Sequence, residues 1–216
     1  MAIEKITLQN VRLSFPKLIE ASSQQPGSPP KFSADFILPP NHPDFARFMQ
    51  EVQKMAVETW KEHAQSVLQV CQADRKLRCF GQGAEKIDKK TYKPYGGYDG
   101  GVYYISANSN ADRPPVMARP DGTLVDASNS MERIELARKL YGGCYVNAVV
   151  RPWPQDNQFG RAVRCELVAL QFLKDGEAFG EGAVNLTGVF GAVVQAPAPD
   201  MTPAPNIIPP FPSFMQ

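Results

Sequence analysis

Hydrophobic and polar positions alternate along much of this chain, and where alternation stops a helical period takes over. Over residues 2–15, Ile6 and Leu8 alternate with polar neighbours, and Val11, Leu13 and Phe15 then alternate in the opposite phase. Successive side chains of a strand point to opposite faces, so a change of phase predicts a bulged strand that keeps both halves on the core. Residues 22–30, made of Ser, Gln, Gly and Pro, predict a loop. Phe32, Ala34, Phe36 and Leu38 alternate cleanly and predict a second strand, ended by Pro39-Pro40. From Asn41 the period changes. Phe45, Phe48, Met49, Val52, Met55, Ala56 and Trp60 recur every three or four residues. This predicts one amphipathic helix, capped by Asn41 and running to about Leu68, with its apolar stripe in the core.

Residues 76–80 predict a short strand, 81–101 a long Gly-rich loop, and 102–107 another strand. Asp121-Gly122, set between Val116-Met117 and Leu124-Val125, predicts a hairpin turn. A second helix is predicted from Ser130 to Tyr141, with Asn129 as N-cap and Gly142 as its stop. Residues 144–153 and 161–173 alternate on either side of a short polar stretch, the strongest hairpin signal in the chain. Beyond about Leu186 the character changes. Residues 196–216 hold seven prolines and one charge, which predicts an extended tail. The expected organisation is a domain over 1–186 and a flexible Pro-rich tail over 187–216. The expected fold class is mainly β with helices (α+β). Strands and helices do not alternate regularly enough for a parallel doubly wound sheet. A five-stranded antiparallel barrel of the oligonucleotide-binding (OB) type, with insertions, fits the inventory.

Composition narrows the function classes. In 216 residues, 43% are hydrophobic and 10% aromatic, enough for a sizeable core. No run of about 18 apolar residues is present, so no membrane-spanning helix is expected. The first residues lack a basic segment followed by an apolar run, so no secretory leader is expected and a cytoplasmic location is. Four cysteines are too few for a disulfide scaffold and are expected as free, buried thiols. The net charge of +1 hides an uneven distribution: residues 75–98 hold seven basic side chains against two acidic ones.

Catalytic signatures are missing. There are two histidines, no Gly-x-Ser-x-Gly, no phosphate-cradling Lys-Ser/Thr loop and no close-spaced cysteine pairs for zinc. No enzyme activity, metal or cofactor is expected, although carboxylates scattered in sequence leave a metal-dependent nuclease as an alternative. Binding chemistry is present. Lys86, Lys89, Lys90 and Lys93 interleave with Tyr92, Tyr95 and Tyr98 in a loop opened by glycines. Single-stranded nucleic acid offers phosphates to cations and flat bases to exposed rings, and such a loop supplies both. A loop whose tyrosines anchor it to the core uses the same residues. The last hairpin adds Arg151, Trp153, Phe159, Arg161 and Arg164 around a polar tip. The loop between the last strands of an OB barrel is one of its usual nucleic-acid contacts. Trp153 as a cap on the barrel end is the alternative there.

Several stretches also resemble a family of tailed-bacteriophage proteins. They are Val11-Arg12-Leu13-Ser14-Phe15-Pro16, Phe32-Ser33-Ala34-Asp35-Phe36, Gly143-Cys144-Tyr145-Val146-Asn147-Ala148, Pro152-Trp153, residues 156–160, residues 167–173 and Asp175-Gly176-Glu177. The similarity spans about residues 3–180, and its motifs are specific only in combination. Some family members are phage single-stranded-DNA-binding proteins with an OB fold. The resemblance implies non-sequence-specific DNA binding in phage replication or recombination, without enzyme activity. It places the protein in the host cytoplasm, with single-stranded DNA and phage or host replication proteins as partners. It supplies no set of DNA contacts, so the candidate residues above stand on their own chemistry. A phage structural or adaptor protein docking through its tail is the remaining alternative. One departure concerns the tail: its tip, Phe211-Pro212-Ser213-Phe214-Met215-Gln216, is apolar, but no acidic run precedes it. Electrostatic competition between tail and DNA is therefore expected to be weak.

Overall fold

A computed structural model describes residues 3–23, 27–126 and 129–179, all within the unit Met1–Ala183. The Pro-rich segment predicted from residue 187 lies outside the described residues. The elements in chain order are β1 (Ile6–Ser22), β2 (Lys31–Leu38), α1 (Pro43–Trp60), α2 (Ala64–Ala73), β3 (Phe80–Gln82), β4 (Tyr103–Asn110), β5 (Val116–Ala118), α3 (Ser130–Lys139), β6 (Tyr145–Asn157) and β7 (Gly160–Lys174). One sheet takes all the strands in the order β3-β4-β2-β1-β6-β7-β5, with a further parallel pairing between β4 and β7 at Asn108↔Glu166. The sheet therefore has seven strands where five were expected. The two additional ones, β3 and β5, are three residues long: the short strand predicted over 76–80 lies at Phe80–Gln82, behind a one-turn 3₁₀ segment at Arg75–Leu77, and Val116–Ala118 is the first arm of the predicted Asp121-Gly122 turn, closed by the bridge Ala118↔Leu124.

The phase change in β1 is a bulge. Asn10 takes φ +50, its N–H bonds to Asn147 Oδ1, and the register with β6 shifts between Leu8 and Val11. Ile6, Leu8, Val11 and Leu13 are consequently all buried. A second irregularity follows at Phe15, with φ +45 and a register shift against β2 between Ser14 and Lys17. Phe15 was expected to face inward with Val11 and Leu13; the second bulge turns it out, and it is half-exposed. Past it β1 continues to Ser22, well beyond the predicted end.

The predicted single helix is two. His42, not Asn41, is the N-cap: its Nδ1 accepts the Asp44 N–H at 3.2 Å, ahead of Pro43. α1 ends at Trp60, and Lys61 at φ +49 starts a one-turn 3₁₀ segment before α2. The apolar stripe stays in phase across this break, with Trp60, Ala64, Val67 and Cys71 all buried, so periodicity alone does not reveal it. Trp60 donates Nε1 to Asp156 Oδ2 at 3.1 Å, tying the break to β6. α3 starts where predicted, with Asn129 Oδ1 accepting the Glu132 N–H, and ends at Lys139 with Leu140 as C-cap, short of the predicted Tyr141 and Gly142. The β6–β7 hairpin also forms as expected, but pairs all the way to Asn157↔Gly160. All four cysteines are free and buried. Burial pushes the Cys144 thiol up to about 11, so it carries no charge near neutrality.

Candidate nucleic-acid interface

Antiparallel neighbours share a face, so register places the candidate residues. On β6 and β7, Arg151↔Glu166 and Trp153↔Arg164 are opposed pairs, while Val150, Pro152, Val163 and Cys165 between them are buried. Trp153 and Arg164 with Arg151 therefore stand on the outer surface. Trp153 is 37% exposed, so it is not a cap sealed into the core. It forms the shared wall of two adjoining hollows of about 200 and 530 Å³. Lys31 and Arg113 join Arg151 around the first, and Lys31, Lys76 and Arg164 surround the second.

These cations differ in how free they are. Arg151 is paired with Glu166 through Nε at 2.8 Å and Nη2 at 2.5 Å. Arg164 is held by neutral acceptors, Gln155 Oε1 at 3.0 Å and the Lys76 carbonyl at 2.8 Å, so its position is fixed with no ion pair to any described residue. Lys31, Lys76 and Arg113 form no ion pair with any described residue. A groove holding five cations, one carboxylate and an exposed indole suits a phosphate chain with bases turned toward the ring.

Phe159 and Arg161 do not join it. They lie at the hairpin tip beside Val67, Val70 and Leu77 in a separate, largely apolar depression, and Arg161 is paired with Asp156 at 3.2 Å. The hairpin residues grouped by sequence are thus divided between two surfaces.

The loop after β3 is divided too. Lys89, Lys90, Tyr92 and Lys93 are exposed, with Tyr92 83% open and held at φ +56. Tyr98 is buried, at 0% exposure, and cannot stack on a base in this conformation. Its hydroxyl donates to Asp35 Oδ2 at 2.8 Å. Burial, followed by the Asp35 charge, pushes its pKa well up and keeps the phenol neutral. Lys86 is drawn to the same oxygen: its Nζ reaches Asp35 Oδ2 at 2.7 Å and Ser106 Oγ at 3.3 Å, and lies 4.5 Å from the centre of the Tyr104 ring. The loop's two ends are therefore pinned to β2 by residues expected to touch DNA. Asp35 was missed because a single carboxylate inside an alternating strand carries no sequence signal. Tyr95 is intermediate: 36% exposed, edge-on to the Phe15 ring with centroids 5.0 Å apart.

The loop and the groove lie along one face. Cross-strand pairs Asp35↔Ser106, Ser33↔Asn108 and Lys31↔Asn110 step along β2 and β4, flanked on β1 by Ser14, Lys17 and Ser22. At about 3.3 Å per residue, the four steps from Asp35 to Lys31 cover roughly 13 Å. Lys17, Lys31, Asn108 and Arg113 are not among the candidates named from sequence, because no local pattern joins them, and Lys76 figures there only as part of the basic segment 75–98.

Among the described residues, no group of three or more His, Cys, Asp or Glu side chains is placed to hold a metal ion. Among them, too, no helix is long and apolar enough to cross a membrane.

Known proteins resemble this chain in sequence and in fold. The family described as Enterobacter phage Enc34, ssDNA-binding protein, matches residues 4–198. "Putative protein p50" of Acyrthosiphon pisum secondary endosymbiont phage 1 is 32% identical over 183 residues, which is 83% of this chain and 89% of that protein. Two solved structures share the fold. The single-stranded DNA-binding protein from bacteriophage Enc34 in complex with ssDNA superposes with a TM-score of 0.63 at 24% identity, over 82% of this chain and 89% of that one. A C-terminal truncation of the Enc34 protein gives 0.61 at 22% identity, over 81% and 88%. With its family model matched from the start of β1 through β7 and beyond, the chain belongs to the Enc34 phage single-stranded-DNA-binding protein family.

Proposed function

We infer that this protein binds single-stranded DNA without reading sequence, as a non-enzymatic coat in phage DNA replication or recombination. The observation that carries the reading is Trp153, exposed in a groove where four of the five cations have no ion pair among the described residues. The DNA path follows the outer face of β1, β2 and β4. Trp153 stacks a base, Lys31, Lys76, Arg113, Arg151 and Arg164 hold phosphates, and Tyr92, Tyr95 and the exposed lysines of the loop engage the strand at the other end. Family membership supports the same activity.

The finer architecture is read as an OB-type barrel. The pairings β1–β2, β2–β4, β4–β7, β7–β6 and β6–β1 form a closed ring of five strands, with β3 and β5 added at the sides. The Pro-rich segment over 187–216 is read as a tail outside this domain, available to phage or host replication proteins, and the site of action as the host cytoplasm. Titration of the full chain with labelled single-stranded and duplex oligonucleotides tests the activity. Strong preference for single strands, weakening with salt and without cleavage in Mg²⁺ or Mn²⁺, is the expected result. Equal affinity for duplex, or cleavage, overturns it.

A further inference from the structure

A surface made only for phosphates has no use for a carboxylate, which repels the DNA backbone. Glu166 nevertheless lines the smaller hollow beside Trp153. It stands on the same face of the hairpin as Trp153, two residues along β7 from that ring's partner Arg164. Both Arg151 bonds end on Glu166 Oε2. Its Oε1 has no partner among the described residues, and neither have the side-chain amides of Asn108 and Asn110, which line the same hollow. Asn108 is the register partner of Glu166 across the β4–β7 pairing. Two buried side-chain oxygens lack a partner among the described residues, Ser22 Oγ and Ser109 Oγ, and both residues line the groove. A flat ring, a free carboxylate oxygen and free amides form a set of donors and acceptors. A phosphate only accepts, whereas the edge of a base does both.

We propose that this hollow is a base-reading subsite, in which a base stacked on Trp153 turns its edge to Glu166 and cytosine is held better than thymine. Cytosine offers its exocyclic amine to the carboxylate, where thymine presents a carbonyl oxygen that the carboxylate repels. The amides of Asn108 and Asn110 supply donors for the remaining acceptors of the base. The subsite deepens the proposed single-stranded DNA binding and rests on it. It tilts base composition at one nucleotide and does not make the coat sequence-specific.

The test is a fluorescence titration of the full chain with dC and dT oligonucleotides of one length at one salt concentration. Preference for dC of about 3- to 10-fold is expected, the worth of one hydrogen bond. Glu166→Ala should keep or raise affinity for both, since it removes an anion and releases Arg151, and should bring the dC/dT ratio close to one. Glu166→Gln should narrow the ratio while preserving side-chain volume, and serves as the readout if the Ala variant does not fold. Equal binding, a preference for dT, or a dC preference unchanged in the folded variants overturns the subsite and leaves DNA binding standing. Failure of the parent chain to bind either oligonucleotide overturns the proposed function and the subsite together.

Discussion

In the loop at residues 86–98, four lysines and three tyrosines follow one another in the chain; around Trp153, five cations arrive from four stretches of chain, Arg151 and Arg164 on one hairpin. The loop announces itself in sequence, yet two of its seven signature residues are spent on holding it in place: Lys86 and Tyr98 both end on Asp35 Oδ2. The groove is only partly legible in sequence, through Arg151, Trp153 and Arg164 of one hairpin, yet only one of its cations, Arg151, is paired with a carboxylate among the described residues. Local charge density measures what a segment contains. Available charge depends on what the fold has already neutralised, and here the two rank the regions in opposite order. The common ground is the outer face of β2 and β4, where Asp35 anchors the loop and Lys31 opens the groove.

The sharpest way to break this comparison is to remove one ring from each region. Stacking a base is worth about 1–3 kcal/mol, so Trp153→Ala should lower affinity roughly 5- to 150-fold at an almost unchanged salt slope. Tyr92→Ala, at an open loop tip, should cost less. Circular dichroism on both variants confirms that they are folded. A loss at Tyr92 that exceeds the loss at Trp153 would transfer the main stacking site to the loop.

Cations separate the regions next. Each phosphate that a variant no longer neutralises on a single strand flattens the dependence of log K on log salt by about 0.7. Lys31→Ala combined with Arg113→Ala should therefore flatten the slope by about 1.4. Lys89→Ala with Lys90→Ala should flatten it less, because these side chains lie on an open surface with no ring beside them that shares the groove. Titrations at four or five salt concentrations measure both slopes, and equal flattening would mean the strand engages both ends alike.

A third variant tests the anchor. Tyr98→Phe removes the hydrogen bond to a buried carboxylate and should cost about 1–3 kcal/mol of stability, several degrees of Tm, with little direct effect on DNA affinity. The alkaline limb supplies a second readout. Burial raises Tyr98 and takes Tyr104 to about 12, so the folded state holds protons that the unfolded chain releases near pH 10. Stability is unaffected below that pH and falls as pH rises through 10 toward 12, less steeply in Tyr98→Phe. If Tyr98→Phe leaves Tm unchanged and weakens DNA binding, the tyrosine belongs to the interface after all.

The smallest effect is expected from the far end of the chain. Truncation after Ala196 should move Tm by no more than a few degrees, because Pro density and the absence of an amphipathic period leave little to pack. Affinity should also change little, since no acidic run competes with DNA. A large change in either would show that the tail covers part of the domain.

The sequence by itself determined what depends on neighbours along the chain. Alternation placed β2 and the β6–β7 hairpin, a run of strand-forming residues placed the first part of β4, the phase change between Leu8 and Val11 placed a bulge, and Asn129 placed the start of α3. It also identified Trp153 as an aromatic among arginines, because those residues share one hairpin. Tertiary structure alone decided the rest. The break after Trp60 keeps the apolar stripe in phase and leaves no periodic mark. Phe159 and Arg161 parted from Trp153 because the hairpin tip leans toward α2. Tyr98 went inward because Asp35, sixty-three residues earlier in the chain, gives its hydroxyl a buried partner. The groove took Lys31 and Arg113 from segments joined by the β2–β4 ladder and brought to the hairpin by the β4–β7 pairing, and Lys76 from a turn whose carbonyl is held by Arg164. A pattern along the chain records which face a side chain takes, whereas the partner it finds there is fixed by neighbours distant in sequence, and for this surface those neighbours decide which charges are left for DNA.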